Sequence, residues 1–131
     1  MNLSPHSPEL VVELLDHAFN DGDLDGVLSF YEDAATVVAS PTNLLHGRAQ
    51  LTTFFEASLR SGIRAKQLRT RVFEADGIAL FLSRWIVLPK DAGQNEAGRT
   101  FFATTVLRKQ PDGAWKVLID NPFGLAALNA E

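Results

Sequence analysis

The 131-residue sequence has no cysteine, and its three histidines are widely spaced, so it holds few of the usual ingredients of metal and thiol chemistry. Without cysteine there are no disulfides, no thiol nucleophile and no thiolate metal site, a composition that suits the cytoplasm. His6, His17 and His46 form neither an HxxxH nor an HxH spacing, so no metal site is expected. No apolar run approaches the roughly 20 residues of a membrane span. The 12 basic residues are scattered among 16 acidic ones, for a net charge of −4, which argues against a nucleic-acid footprint of clustered Lys and Arg. Phosphate loops, nucleophile elbows and dinucleotide fingerprints are all missing, and no cofactor is expected. The start, Met1 to Ser7, has no apolar core and does not read as a signal peptide.

What is present reads as a single domain over residues 1–131, with a flexible tail over 1–7 and a C-terminal tail over 125–131. Ser7-Pro8-Glu9 is a helix start, with a capping hydroxyl, a proline in the first turn and an acid facing the dipole. Val11, Leu14, Leu15, Ala18 and Phe19 follow at helical spacing. Asp21-Gly22 ends that helix, and Asp23 caps a short second one carrying Leu24, Val27, Leu28 and Tyr31. Thr36 to Ala39 reads as a strand and Pro41 to Gly47 as a loop. A third helix runs from Arg48 to about Leu59, with Leu51, Phe54, Phe55 and Leu59 inward. Segments Ala65–Glu74, Ile78–Leu88, Thr100–Gln110 and Trp115–Asn121 are rich in strand formers and are separated by turn signals. Three helices followed by a long antiparallel sheet is an α+β layout.

Both faces of the later strands carry large apolar groups. Leu80, Leu82, Arg84 and Ile86 alternate with Ala79, Phe81, Ser83, Trp85 and Val87, and Phe101, Ala103, Thr105 and Leu107 with Phe102, Thr104, Val106 and Arg108. A sheet with one wet face alternates apolar and polar residues, and three helices cover one face only. The expectation is a two-fold dimer through the outer face, using Phe81, Trp85, Phe102, Thr104 and Val106. The competing reading is that Leu125 to Leu128 folds back over that face.

Three stretches, GDLDGVLSFYEDAATVVASP, HGRAQLTTFFEASL and GRTFFATTVLRKQPDGAWKVLIDNPFG, carry a resemblance over nearly the whole chain. In order and spacing they resemble the nuclear-transport-factor-2-like (NTF2-like) superfamily, in its SnoaL-like and ketosteroid-isomerase-like branches. The resemblance implies a cystatin-like cone, in which three N-terminal helices pack on a curved antiparallel sheet and enclose a pocket. It also implies dimerisation through the convex sheet face.

Ketosteroid isomerases place an aspartate base at the end of the first strand, where this chain has Ala39 or Ser40. Their oxyanion-holding Tyr and Asp fall at Leu15 and Thr105, and a further pocket Tyr at Phe55. The resemblance therefore excludes that mechanism here. The same register turns Arg84 and Asp120 inward, as the internal charged groups of a pocket lined by Leu15, Phe19, Ala39, Phe55, Leu82, Ile86, Phe101, Ala103 and Thr105, with Asn121 at its edge. Limonene-epoxide-hydrolase-like relatives set an Arg between two acids to activate water, but Ile86 stands where the second acid is expected. Two readings of Arg84 and Asp120 stand: catalytic groups, or a structural ion pair closing one end of the cone. At the level of function the alternatives are a protein that binds a small hydrophobic molecule, as an isomerase, cyclase or hydrolase, and a non-catalytic dimeric association module.

Overall fold

Ser7 opens the first helix, α1 (Pro8–Asn20), by accepting a hydrogen bond from the Leu10 amide at 3.2 Å, with Pro8 in the first turn. Asp23 caps α2 (Leu24–Ser29) through the Gly26 amide at 3.0 Å. The computed structural model describes residues 5–89 and 98–129. Most of the expected loop Pro89–Gly98, and residues 1–4 and 130–131 of the expected tails, lie outside the described residues. Within the expected N-terminal tail, the Pro5 carbonyl accepts a 2.9 Å hydrogen bond from the Trp115 amide.

Seven further strands and α-helices follow, five of them with bounds that differ from the sequence reading. The first strand, β1 (Tyr31–Ser40), begins earlier than expected, so Tyr31, Glu32 and Asp33 are strand residues rather than the end of α2. The expected loop contains β2 (Asn43–His46), paired antiparallel with β1. Helix α3 (Arg48–Ser61) ends at Gly62 in a left-handed conformation with φ of 75°. The remaining strands are β3 (Arg64–Ala75), β4 (Ile78–Leu88), β5 (Arg99–Lys109) and β6 (Trp115–Asn121). Asp76 and Gly77 join β3 to β4 with φ of 54° and 78°, the positive values that a tight hairpin turn needs.

The six strands form one open, curved sheet in the order β2-β1-β6-β5-β4-β3. All neighbours are antiparallel except β1 and β6, which are parallel. Register between β4 and β5 pairs Phe81 with Thr105, Ser83 with Ala103, Arg84 with Phe102 and Trp85 with Phe101. Directly paired residues share a face. Phe81 and Trp85 therefore face inward beside Thr105, while Arg84 faces outward beside Phe102.

Two bulges then change which residues point inward. Between β3 and β4 the pairing passes from Gln67↔Trp85 to Arg69↔Arg84 and leaves Leu68 unpaired. Between β5 and β6 it passes from Val106↔Ile119 to Leu107↔Val117 and leaves Leu118 unpaired. A bulge inserts one residue and shifts the face of everything beyond it. Hence Gln67 on β3 and Asp120 on β6 join the inner face although their neighbours in strict alternation would not.

The helices cover that inner face. Val11, Val27, Tyr31, Leu51, Leu107 and Val117 are essentially inaccessible and fill the closed end of the cone. The outer face is uncovered: Phe102 is 65% exposed, and Leu80 and Ile119 are each 41% exposed. Residues Gly124–Asn129 form a 3-10 helix beside β5. Gly124 sits so close to β5 that a Cβ there would collide with the Phe102 carbonyl. Leu125 and Leu128 remain exposed and do not cover the face.

Candidate functional site

At the open end, α1, α3 and the inner sheet face enclose a cavity of about 410 Å³. Helix α1 contributes Leu15, Asp16 and Phe19, α3 contributes Phe54, Phe55 and Ser58, and the strands contribute Tyr31, Ala39, Gln67, Ser83, Trp85, Phe101, Ala103, Thr105 and Asp120. Eight of the lining residues are aromatic. Trp85 and Phe101 lie 5.2 Å apart, Phe123 meets Phe101 edge-on at 5.4 Å, and Tyr31 meets Phe55 at 5.2 Å. The Trp85 indole nitrogen donates to the Pro122 carbonyl at 2.9 Å, which locks the ring against the β6 end.

Asp120 is the polar centre. The Tyr31 hydroxyl donates to its Oδ2 at 2.6 Å, and the Thr105 hydroxyl donates to its Oδ1 at 3.3 Å. Burial raises the Asp120 carboxyl above its ordinary range, and those two hydrogen bonds oppose the rise. Burial, then the adjacent carboxylate, holds the Tyr31 phenol well above its ordinary value, so it remains a proton donor at neutral pH. A second acid, Asp16, enters from α1 and accepts from Gln67 Nε2 at 3.1 Å. Its pKa is pushed up to about 6, chiefly by burial, with the Asp120 charge adding to the rise. Gln67 Oε1 is buried and has no hydrogen-bond partner among the described residues.

Of the residues expected in the pocket, Leu15, Phe19, Ala39, Phe55, Phe101, Ala103, Thr105 and Asp120 line this cavity. Leu82, Arg84 and Ile86 do not. They occupy the outer face, because Leu82 pairs with Thr104, Arg84 with Phe102 and Ile86 with Thr100. Arg84 and Asp120 thus lie on opposite sides of the sheet and form no ion pair. Asn121 also turns away: its amide donates to Thr104 Oγ1 and the Gly124 carbonyl, both at 3.2 Å, and its own oxygen accepts from the Phe123 amide. It orders the turn after β6 and does not face the cavity. Phe81 and Trp85, expected on the dimer face, are inside. His46 lies on β2 against Thr36 Oγ1 at 3.0 Å, and His17 is exposed on α1. No group of three metal-ligating side chains occurs among the described residues.

Sequence reasoning missed Asp16, Tyr31 and Gln67. Tyr31 is the only tyrosine of the chain. Asp16 follows Val12 by four residues and precedes Phe19 by three, which places an acid on the apolar side of α1; that spacing was a legible signal. Gln67 had none, because a bulge aims it.

Several solved structures share this fold. A candidate calcium/calmodulin-dependent protein kinase type II association domain from Thiobacillus denitrificans superposes with a TM-score of 0.73 at 17% identity, over 92% of this chain and 96% of that one. A candidate dehydratase of the NTF2-like family from Streptomyces avermitilis gives 0.73 at 20% identity, over 86% and 88%. A protein of unknown function with a cystatin-like fold from Nostoc punctiforme gives 0.70 at 16% identity, over 84% and 82%. At such identities the likeness shows the fold alone, and the two of these proteins that carry a candidate role carry different ones. No curated protein sequence matches the chain. The profile of the SnoaL-like domain matches residues 11–117, which is most of the sequence. On that match, with the cystatin-like, NTF2-like architecture around it, the chain belongs to the SnoaL-like domain family.

Proposed function

We propose that the protein binds a small hydrophobic molecule in the cavity and transfers a proton to or from it through Asp120. The carrying observation is a donor-held carboxyl (Asp120 with Tyr31 at 2.6 Å) in an aromatic cavity of about 410 Å³. That volume falls within the usual range for small-molecule pockets. A raised carboxyl pKa beside a phenol suits general acid–base work. With Arg84 on the outer face, arginine-assisted water activation has no group to carry it, so the reading narrows from isomerase, cyclase or hydrolase to proton transfer of the isomerase or cyclase type. The ketosteroid-isomerase base remains absent, since Ala39 is on the cavity wall.

A panel of apolar one- and two-ring compounds, read by thermal shift, tests the binding half. Several members are expected to raise the melting temperature of the wild type, and Ala103→Trp, which fills the cavity, is expected to abolish the rise. Stabilisation that survives in Ala103→Trp, or a panel with no binder, overturns the reading. An open cavity also speaks against a purely associative module, which predicts a pocket filled by its own side chains.

We also propose that two copies pair through the outer face. Phe102, Leu80 and Ile119 supply an exposed apolar patch there, in place of the expected set that included Phe81 and Trp85. Sedimentation velocity at micromolar concentration is expected to show a dimer that Phe102→Lys dissociates; a wild-type monomer overturns this. For compartment the proposal keeps the cytoplasm, on the cysteine-free composition. No helix among the described residues is long and apolar enough to cross a membrane.

A further inference from the structure

Among the described residues four hydroxyl groups line the cavity, those of Tyr31, Ser58, Ser83 and Thr105. Three of them are committed. Tyr31 and Thr105 donate to Asp120, and Ser58 Oγ donates to the Phe54 carbonyl of its own helix at 3.0 Å. Ser83 is the exception: it is only 6% exposed, and its side chain makes no hydrogen bond among the described residues. Unlike Gln67 Oε1, which is sealed off, Ser83 Oγ keeps surface on the cavity side. Native structures satisfy nearly all buried polar groups, and a donor stripped of its partner is costly. A hydrocarbon seated over Ser83 would displace water from it and leave it unmet, whereas a ligand with an acceptor oxygen would restore the bond.

The strand register sets Ser83 and Asp120 at two ends of a short floor. Ser83 on β4 pairs with Ala103, and Asp120 on β6 pairs with Thr105, two residues further along β5. Two strand spacings and two residues of rise separate the Ser83 and Asp120 Cα atoms by about 12 Å, with both side chains on the concave face. Ala103 lies between them and offers only a methyl group to the cavity. Trp85 and Phe101, the next inward pair along β4 and β5, stand beside that floor with their rings 5.2 Å apart. A flat ring resting on Ala103 therefore has one edge at Ser83 and the other toward Asp120.

We infer that Ser83 orients the ligand of this cavity, donating a hydrogen bond to the one acceptor oxygen, a carbonyl by preference, of a neutral ring compound that lies on Ala103. This deepens, and rests on, the small-molecule reading above. A carbonyl oxygen accepts near the plane of its substituents, so one such bond fixes the rotation of the ring as well as its position. It thereby chooses which carbon is presented to Asp120. Neutrality follows from the wall, where Asp16 and Asp120 oppose an anionic acceptor. Arg99, whose guanidinium lies 5.3 Å from the Phe101 ring centroid, is not a lining residue.

Calorimetric titration of the full chain with two matched pairs, 2-tetralone with tetralin and 2-indanone with indane, tests the assignment. In at least one pair Ser83→Ala is expected to lower the affinity for the ketone, relative to its hydrocarbon, by about fivefold or more, the worth of one hydrogen bond. The carbonyl stretch of the bound ketone gives a second readout. It is expected at lower frequency in the wild type than in an alkane solvent, and to return toward the alkane value in Ser83→Ala. A Ser83 that merely supports the sheet would weaken ketone and hydrocarbon together and leave the band in place. An unchanged ratio in both pairs, a lowered band that persists in Ser83→Ala, or a wild-type band that is not lowered overturns the role of Ser83. The same holds if the ketones do not bind while members of the apolar panel do, and in each of these cases the pocket reading stands. If neither these pairs nor the apolar panel binds, both fall.

Discussion

The two faces of the sheet are built from the same strands yet have opposite chemistry. The inner face carries aromatic rings and two acids, Asp16 from the helix above it and Asp120 from β6. The outer face carries arginines, Arg69 and Arg84 paired across β3 and β4 and Arg71 stacked 4.8 Å from the Phe73 ring, together with exposed Leu80, Phe102 and Ile119. Apolar content does not separate the faces, because each has plenty. Polar groups do. Inside, Asp16, Tyr31, Thr105 and Asp120 are held by hydrogen-bond partners and the Gln67 carbonyl oxygen is left unmet; outside, water satisfies such groups and the cost of an arginine is small. The lesson is that alternation marks a strand, while the sign and satisfaction of its few charges mark the side that does chemistry.

Substitutions at equivalent depth on the two sides sharpen that contrast. The largest effect is expected at the closed end of the inner face: Leu107 is 0% exposed, and Leu107→Ala is expected to cost about 2–5 kcal/mol in denaturant unfolding. Next is Tyr31→Phe, which strips Asp120 of its 2.6 Å donor and is expected to cost about 1.5–3 kcal/mol at pH 7. It also raises the Asp120 pKa further, since that bond favours the ionised form.

Asp16 has an effect of the opposite sign. Its folded-state pKa of about 6 lies above the ordinary 3.8, so folding favours the protonated form. The resulting stability is fully present below pH 4 and is lost as pH rises through 6. Asp16→Asn is therefore expected to be more stable than the wild type at pH 7, by on the order of 1 kcal/mol, and to flatten the decline between pH 4.5 and 7. Thermal unfolding across that range reads both. Glu32 runs the other way: its hydrogen bond from Arg108 holds it below its ordinary value, and its contribution is lost only as pH falls below about 4.5.

The smallest effects belong to the outer face. Arg84→Ala is expected to change stability by less than about 0.5 kcal/mol and to leave ligand affinity unaltered. A loss of binding in Arg84→Ala would invert the comparison, since it would require the arginine to reach the cavity.

Much of the fold was legible in the residues. The Ser7 and Asp23 caps, the Asp76-Gly77 hairpin and the bounds of β4 and β6 all follow local rules that the structure obeys. Less of the site was. Thr36–Ala39 announces a strand, but Tyr31 to Asp33 extend it only because β6 pairs beside them in parallel, Tyr31 opposite Val117. Reading Tyr31 as helical hid the strongest partner of Asp120. Arg84 and Thr105 were expected on one face, an arrangement that the pairing of Arg84 with Phe102 and of Phe81 with Thr105 forbids.

The sequence alone determined the order of elements, the caps and turns between them, and through these the cone and its family, because each depends on contacts within a few residues. Only the tertiary structure decided which side of β4 faces the helices, which turns Arg84 outward, and that Gln67 turns inward. The reason is physical. A strand apolar on both faces has no preferred side of its own, and a bulge such as those at Leu68 and Leu118 comes from fitting one strand to its neighbour, not from the residues it displaces.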